Sequence, residues 1–332
     1  MMGRLICVVL GVVVMFWNVE NYFDPFDDPL KNDDEFTAMG ERRWTWSRFE
    51  SKRDRIAQTI VAAGDVWGEL PALVGLAEVE NRMVISQLVR KTMLDELGYG
   101  YVHRESPDER GIDVALLYRK DVFRIVAVDS LRIPGVKTRD ILYVVMKEMP
   151  SQAGHDADGL RAGLVERQVL SSPAESGLEK VLTREGDEPL LHVFVVHLPS
   201  KRGGAKASDS RREAALGVLQ GVVDSLLRDD PGRRIVVMGD FNDTDPAVTG
   251  LVRPPFDGDP ARPGTLRYHG RWERIDHFFL SPAAPGAMQI FAPGFLLERD
   301  EAWLGDKPRR AYVGPRYHGG LSDHLPILLK MP

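Results

Sequence analysis

The sequence predicts a mixed α/β domain. Apolar, β-rich runs recur at residues 12–17, 73–77, 114–118, 141–146, 192–196, 235–238, 277–280 and 325–329. Helix-period patterns stand between several of them, and strands interleaved with helices give an α/β or α+β class. Polar residues end some of the apolar runs and precede others. If these residues converge on one rim, the strands run in both directions and the sheet is mixed.

The chain has 332 residues, 43% of them hydrophobic, enough for one large core or two ordinary ones. No internal repeat and no Pro/Ser-rich linker divides it, so residues 12–331 are read as one domain. The net charge of −6, with both signs interspersed, excludes a basic nucleic-acid glove. A substrate phosphate must then be met by a few placed cations or by a metal. Cys7 is the only cysteine, which excludes an internal disulfide and a cysteine-rich zinc site.

Residues 1–11 are an apolar N-terminal extension or a degenerate signal. Arg4 precedes a run from Leu5 to Phe16 that lacks a small-residue cleavage site. The run is shorter than the about 20 residues that span a bilayer. It also flows into "WNVENYFD", part of the first strand. No transmembrane anchor is expected, the compartment stays open, and a monomer is expected.

Taken in order, the helical segments justify themselves by spacing. Residues 48–63 carry Phe49, Ile56 and Ile60; residues 83–97 carry Val84, Leu88 and Leu97. Residues 210–227 carry Leu216, Leu219, Val223 and Leu226, with Ser210 and Glu213 as a capping box. Two segments read as insertions. Residues 24–41 are acidic and polar. Residues 152–188 are poor in large apolar side chains, so they read as a long, mobile hairpin loop.

The strand ends carry the chemistry. The first run ends in Asn18-Val19-Glu20, the second at Glu78 in "GLAEVEN", a later one at His197 in "HVFVVHLPS", and another at Asp240 and Asn242 in "GDFND". Two runs reverse the order: Asp276 precedes the strand in "RIDHFFL", and Asp323 and His324 precede it in "LSDHLPILL". In extended chain, side chains two apart share a face, which puts Asn18 with Glu20 and Asp240 with Asn242. Carboxylates and amides without thiolates suit Mg²⁺ or Mn²⁺. Two histidines beside them suit phosphoryl chemistry.

Each residue also has a plain structural reading. Asp and Asn at strand ends commonly serve turns. His192 and His277 are set aside as packing residues, and Asp156, Asp158 and Asp187 as solvating ones. Trp44 and Trp46 in "RRWTWSRFE" read as anchors of a loop on the core, with stacking on a substrate base as the alternative. Six strand ends that all carry site-type residues are more than turns require.

Those six stretches, "WNVEN", "LAEVEN", "HLPSKRGG", "GDFND", "RIDHFFLS" and "SDHLPI", resemble the endonuclease/exonuclease/phosphatase superfamily in order and span nearly the whole chain. Its members include pancreatic-type deoxyribonucleases, abasic-site endonucleases, sphingomyelinases and inositol-polyphosphate 5-phosphatases. "WNVENYFD" with "AEVENR" is similar to a bacterial branch. The resemblance implies a four-layer α/β sandwich, two mixed sheets face to face with helices outside. It implies Asn18 and Glu20 near metal and phosphate, Glu78 as main metal ligand and Asp323 near the metal. His197 would lie beside the phosphate oxygens. Asp240 would orient or deprotonate water, with Asn242 steadying it. His324 would contact the phosphate with Asp276 behind it, and this pair is the alternative base. Asp113 in "GIDVALLYR" is a looser match for the acidic partner of His197. Arg139, Lys201 and Arg202 are candidate phosphate contacts, with solvated surface charge as the plain reading.

The expectation is a Mg²⁺- or Mn²⁺-dependent phosphodiesterase or nuclease. A phosphatase or phospholipase C-type hydrolase is the alternative, and a non-catalytic binding module ranks lowest. The expected partner is a phosphate-ester substrate, with nucleic acid among the candidates.

Overall fold

The computed structural model describes residues 11–150, 189–200 and 205–332. Residues 1–10, the 152–188 insertion, Lys201 and Arg202 lie outside the described residues. In chain order the strands are β1 (Val12–Tyr22), β2 (Leu73–Val79), β3 (Tyr99–His103), β4 (Asp113–Arg119), β5 (Phe123–Leu131), β6 (Ile141–Glu148), β7 (Leu190–His197), β8 (Arg234–Asp240), β9 (Leu266–Tyr268), β10 (Arg271–Glu273), β11 (Asp276–Leu280), β12 (Ala287–Ile290), β13 (Leu297–Arg299), β14 (Asp306–Pro308), β15 (Tyr312–Val313), β16 (Arg316–Tyr317) and β17 (Ile327–Met331). The helices are α1 (Trp46–Ala63), α2 (Arg82–Arg90) and α3 (Ala205–Asp229).

One sheet has the order β12-β17-β1-β2-β4-β3 and the other β11-β8-β7-β6-β5. Both are mixed: β1 runs parallel to β2, and β7 parallel to β8, while their other pairings are antiparallel. Alternation along each strand divides the apolar residues between two faces. Val14, Phe16, Leu73 and Leu116 from the first sheet meet Val144, Val193, Val236 and Met238 from the second. The opposite faces pack against helices. Met15 and Trp17 lie with Phe49, Ile56 and Ile60 of α1 and Leu88 of α2. Phe194 and Val237 lie with Leu219, Val223 and Leu226 of α3. The outcome is the four-layer α/β sandwich expected above.

Several elements differ from their sequence reading. Helix α2 stops at Arg90, because the Thr92 hydroxyl donates to Leu88 O at 2.6 Å and competes with the next helical bond. Helix α3 begins at Ala205, so Ser210 and Glu213 sit inside it rather than at its start. The 24–41 segment packs as part of the domain. Phe36 is buried against Phe23 (rings 4.4 Å apart), Asp33 is buried, and Asp24 N donates to buried Glu80 at 2.6 Å. Burial pushes the Glu80 carboxyl up to about 9, so it acts there as a neutral hydrogen-bonding group. Trp44 is buried and donates to Phe23 O at 2.8 Å, as the anchor reading expects, while Trp46 is partly exposed against Phe26.

Candidate active site

Four strands deliver residues to one rim by ending there. Asn18 is near the end of β1, Glu78 near that of β2, His197 ends β7 and Asp240 ends β8. Strand β11 starts there with Asp276, paired across the ladder with Asp240. Asp323 and His324 precede β17, and the rim is closed by bonds into β1. Trp17 Nε1 donates to His324 O at 2.9 Å, and Ser322 Oγ donates to Asn18 O at 2.7 Å.

The strands do not stay extended at this rim. Glu20, Asn21, Glu78 and Asn242 have φ values of 50°, 52°, 60° and 51°. Non-glycine residues rarely adopt this left-handed region, and such strain gathers at functional sites. It also overturns the expectation that Asn18 and Glu20 share a face. The β1–β2 register shifts between Asn18 and Tyr22, and the two side chains diverge. Asn18 Nδ2 donates to Asp240 Oδ2 at 3.0 Å and Glu78 Oε1 at 3.4 Å. Glu20 instead takes Arg310 Nε and Nη2 at 3.0 and 2.5 Å.

Around Asp240 the groups converge. His197 Nε2 lies 3.7 Å from its Oδ2, and His324 Nε2 lies 3.9 Å from the same oxygen. Asn242 N donates to Asp240 Oδ1 at 2.8 Å, while the Asn242 amide donates to Leu198 O at 2.9 Å. Burial pushes the Asp240 carboxyl up to about 7. His324 Nδ1 and Asp276 Oδ2 are 2.8 Å apart, and the Thr265 hydroxyl donates to the same carboxylate oxygen. Burial alone would lower the His324 pKa, but the Asp276 carboxylate beside it raises it well above the usual range. His197 goes the other way: burial first, then Arg139 and Arg110, hold it well below. The two histidines are thus pushed in opposite directions.

Two sequence readings change here. Asp113 faces His103, with Oδ2 at 3.5 Å from Nε2, and Glu105 flanks the other ring nitrogen at 3.8 Å. The β4 register turns its side chain to that group, so Asp113 is not the partner of His197. Arg139 is tied to Asp108 Oδ2 at 3.2 Å and Leu198 O at 3.1 Å, where it braces the loop that holds Asn242. Among the described residues the sequence reading missed Arg310, Lys52, Thr265 and Ser322. Lys52 is buried on α1 and donates to Glu20 O. Of the plain readings, His192 bonds the Tyr143 hydroxyl at 2.7 Å and His277 sits 2.9 Å from Asp243 O, each a satisfied packing residue.

Gly239 explains the glycine before Asp240. It lies opposite Val196 in the β7–β8 pair, and a Cβ there would meet Val196 O at 2.2 Å. Backbone cannot yield as a side chain can. Gly239→Ala is expected to cost about 1–3 kcal/mol in urea unfolding and to displace Asp240. A midpoint equal to wild type would remove this account.

The donor set fits a hard divalent cation. Asn18, Glu20, Glu78 and Asp323 offer oxygens without a thiolate, and buried Glu20 Oε2 has no hydrogen-bond partner. Glu78 is held in place from one side, with Oε2 accepting from Asn21 N at 2.8 Å. Ligand atoms of Asp240, Asp276 and His324 also lie within 4.8 Å of one another, but the Asp276–His324 hydrogen bond makes these an acid–imidazole pair facing Asp240.

Residues 13–152 and 179–253 match the model of the endonuclease/exonuclease/phosphatase family. The chain belongs to this family. Truncated TDP2 from Caenorhabditis elegans superposes with a TM-score of 0.55 at 16% identity, over 97% of each chain. An endonuclease/exonuclease/phosphatase family protein from Bacteroides thetaiotaomicron gives 0.53 at 16% identity, also over 97% of each. A mannosyl-6-phosphatase from B. thetaiotaomicron gives 0.53 at 17% identity, over 97% of this chain and 99% of that one. At such identities the likeness shows the family's fold. No curated protein matches the chain. Among the described residues no helix is long and apolar enough to cross a membrane.

Proposed function

We propose that this family member is a divalent-metal-dependent phosphodiesterase that hydrolyses its substrate by in-line attack of water. The observation that carries the reading is the convergence of His197, His324 and Asn18 on the buried carboxylate of Asp240, with Glu78 beside them. A bound Mg²⁺ or Mn²⁺, held by Glu78 with Glu20 and Asp323 near it, would supply Lewis-acid neutralisation of charge on the phosphoryl oxygens.

The protein's own groups divide the remaining work. Asp240 orients and deprotonates the water, held by Asn18 and the backbone of Asn242. His324, fixed through Nδ1 by Asp276, points Nε2 at the reacting centre and stabilises charge on the pentacovalent phosphorus. The Asp276 carboxylate pushes that ring toward its protonated form, in which it serves poorly as the base, and this favours Asp240 over the His324–Asp276 pair. His197, whose pKa burial and the nearby arginines push down, lies beside the non-bridging oxygens. An intact constellation of this kind argues against a mere binding module.

A phosphatase acting on a phosphorylated small molecule or lipid head group is the second reading. The mannosyl-6-phosphatase likeness over nearly the whole chain supports keeping it. The discriminating measurement is turnover of bis-p-nitrophenyl phosphate against p-nitrophenyl phosphate, with DNA, RNA and sphingomyelin alongside, each with Mg²⁺ or Mn²⁺. Faster cleavage of diesters is expected. Preference for the monoester would install the phosphatase reading, and a folded protein inert to every ester would remove both.

A further inference from the structure

Arg310 belongs to the segment between β14 and β15 and was invisible in the sequence. Its backbone is pinned: Gly320 N donates to its carbonyl at 3.0 Å, and His318 N donates to the neighbouring Ala311 carbonyl at 2.8 Å. This ties it to the glycine turn that leads to Asp323. Its guanidinium puts Nε and Nη2 on Glu20 Oε1 and places Nη2 3.2 Å from Asp323 Oδ2. Both carboxylates belong to the acidic set that faces the metal position. Glu20 is buried, with its side chain 7% exposed, while Arg310 is 40% exposed, so the pair is buried on its carboxylate side and open on its guanidinium side.

The charges of the rim give the consequence. Glu20, Glu78 and Asp323 are three carboxylates; Arg310 and buried Lys52 are two cations within their reach. Asp240 stands beside Glu78 as a further carboxylate, and Arg310 is committed to the Glu20–Asp323 side. A second ion at the Glu20–Asp323 side would have to displace a guanidinium that already holds one oxygen of each. Arg310 makes no contact with Glu20 Oε2, which is buried and unpartnered, and the Glu78 carboxylate is held instead by Asn18 and the backbone of Asn21.

We infer that Arg310 is a built-in cation standing on Glu20 and Asp323, so that the rim takes up a single divalent ion on the Glu78 side. This rests on the metal-dependent reading above only for the presence of an ion. Arg310 is a positioning residue in this account: it fixes Glu20 and Asp323 and sets the number of ions.

The test counts bound Mn²⁺ by electron paramagnetic resonance on the full chain without substrate. The wild type is expected to bind one ion, Arg310→Lys one, and Arg310→Met two. Glu78→Gln is expected to lose the wild-type ion, and the double variant Arg310→Met/Glu78→Gln to keep the new one. Two ions in the wild type would overturn the inference, even if Arg310→Met failed to fold. So would one ion in a folded Arg310→Met, while leaving the metal-dependent reading intact. No ion in the wild type would overturn that reading and this inference with it.

Discussion

Asp240→Asn is expected to turn over a diester about 10²–10⁴-fold more slowly than the wild type, the usual range for a lost general base. The change keeps shape and removes charge. If Asp240 only formed a turn, Asn would serve as well, because both residues hydrogen-bond their own backbone in loops. The geometry says what is at stake. Oδ1 is held by Asn242 N, and Oδ2 faces Asn18, His197 and His324. The substitution leaves an amide that can still accept at Oδ1, so the loop should survive. Without metal, its thermal midpoint should equal or exceed that of the wild type, since a buried carboxylate beside Asp276 is removed. The decisive pair of numbers is the catalytic rate constant and the midpoint. Wild-type turnover would return "GDFND" to an ordinary turn and take the mechanism with it.

Exhaustive chelation with EDTA is expected to bring turnover to background, and added Mg²⁺ or Mn²⁺ to restore it. Metal stabilisation of transition-state charge is worth several kcal/mol, on the order of 10³-fold or more in rate. Glu78→Gln should reproduce the loss without a chelator, because a neutral amide is a weak ligand for a hard cation. It should also leave the fold in place, since Gln can still accept from Asn21 N. Full activity after metal removal would leave the acidic rim without the role assigned to it.

The rim was legible because strand ends are local events. An apolar run that stops at a carboxylate or an amide can be seen in one dimension, and six of them gave Asn18, Glu78, His197, Asp240, Asp276 and His324. What stayed hidden is non-local or conformational. Arg310 reaches Glu20 across 290 positions, and nothing in "KPRRAYVG" distinguishes it from Arg309. The left-handed backbone at Glu20 carries no glycine to announce it, so a period-two reading placed its side chain on the wrong face. Strand β5 escaped notice because it is an edge strand with a largely half-exposed surface, whose residues lack a continuous apolar run. Asp113 was misassigned because its partner depends on which face of β4 it occupies, which the pairing with β2 and β3 decides.

The pairing of β1 with β17 also has a consequence for synthesis. Val12 lies opposite Met331, and β17 is an interior strand between β12 and β1. Strand β1 therefore waits for a neighbour made more than 300 residues later. Until then β1 has one open edge, the Trp17 and Ser322 links to the catalytic loop cannot form, and His324 does not yet exist. Under the proposed mechanism the site cannot be complete before β17 and the loop that precedes it are made.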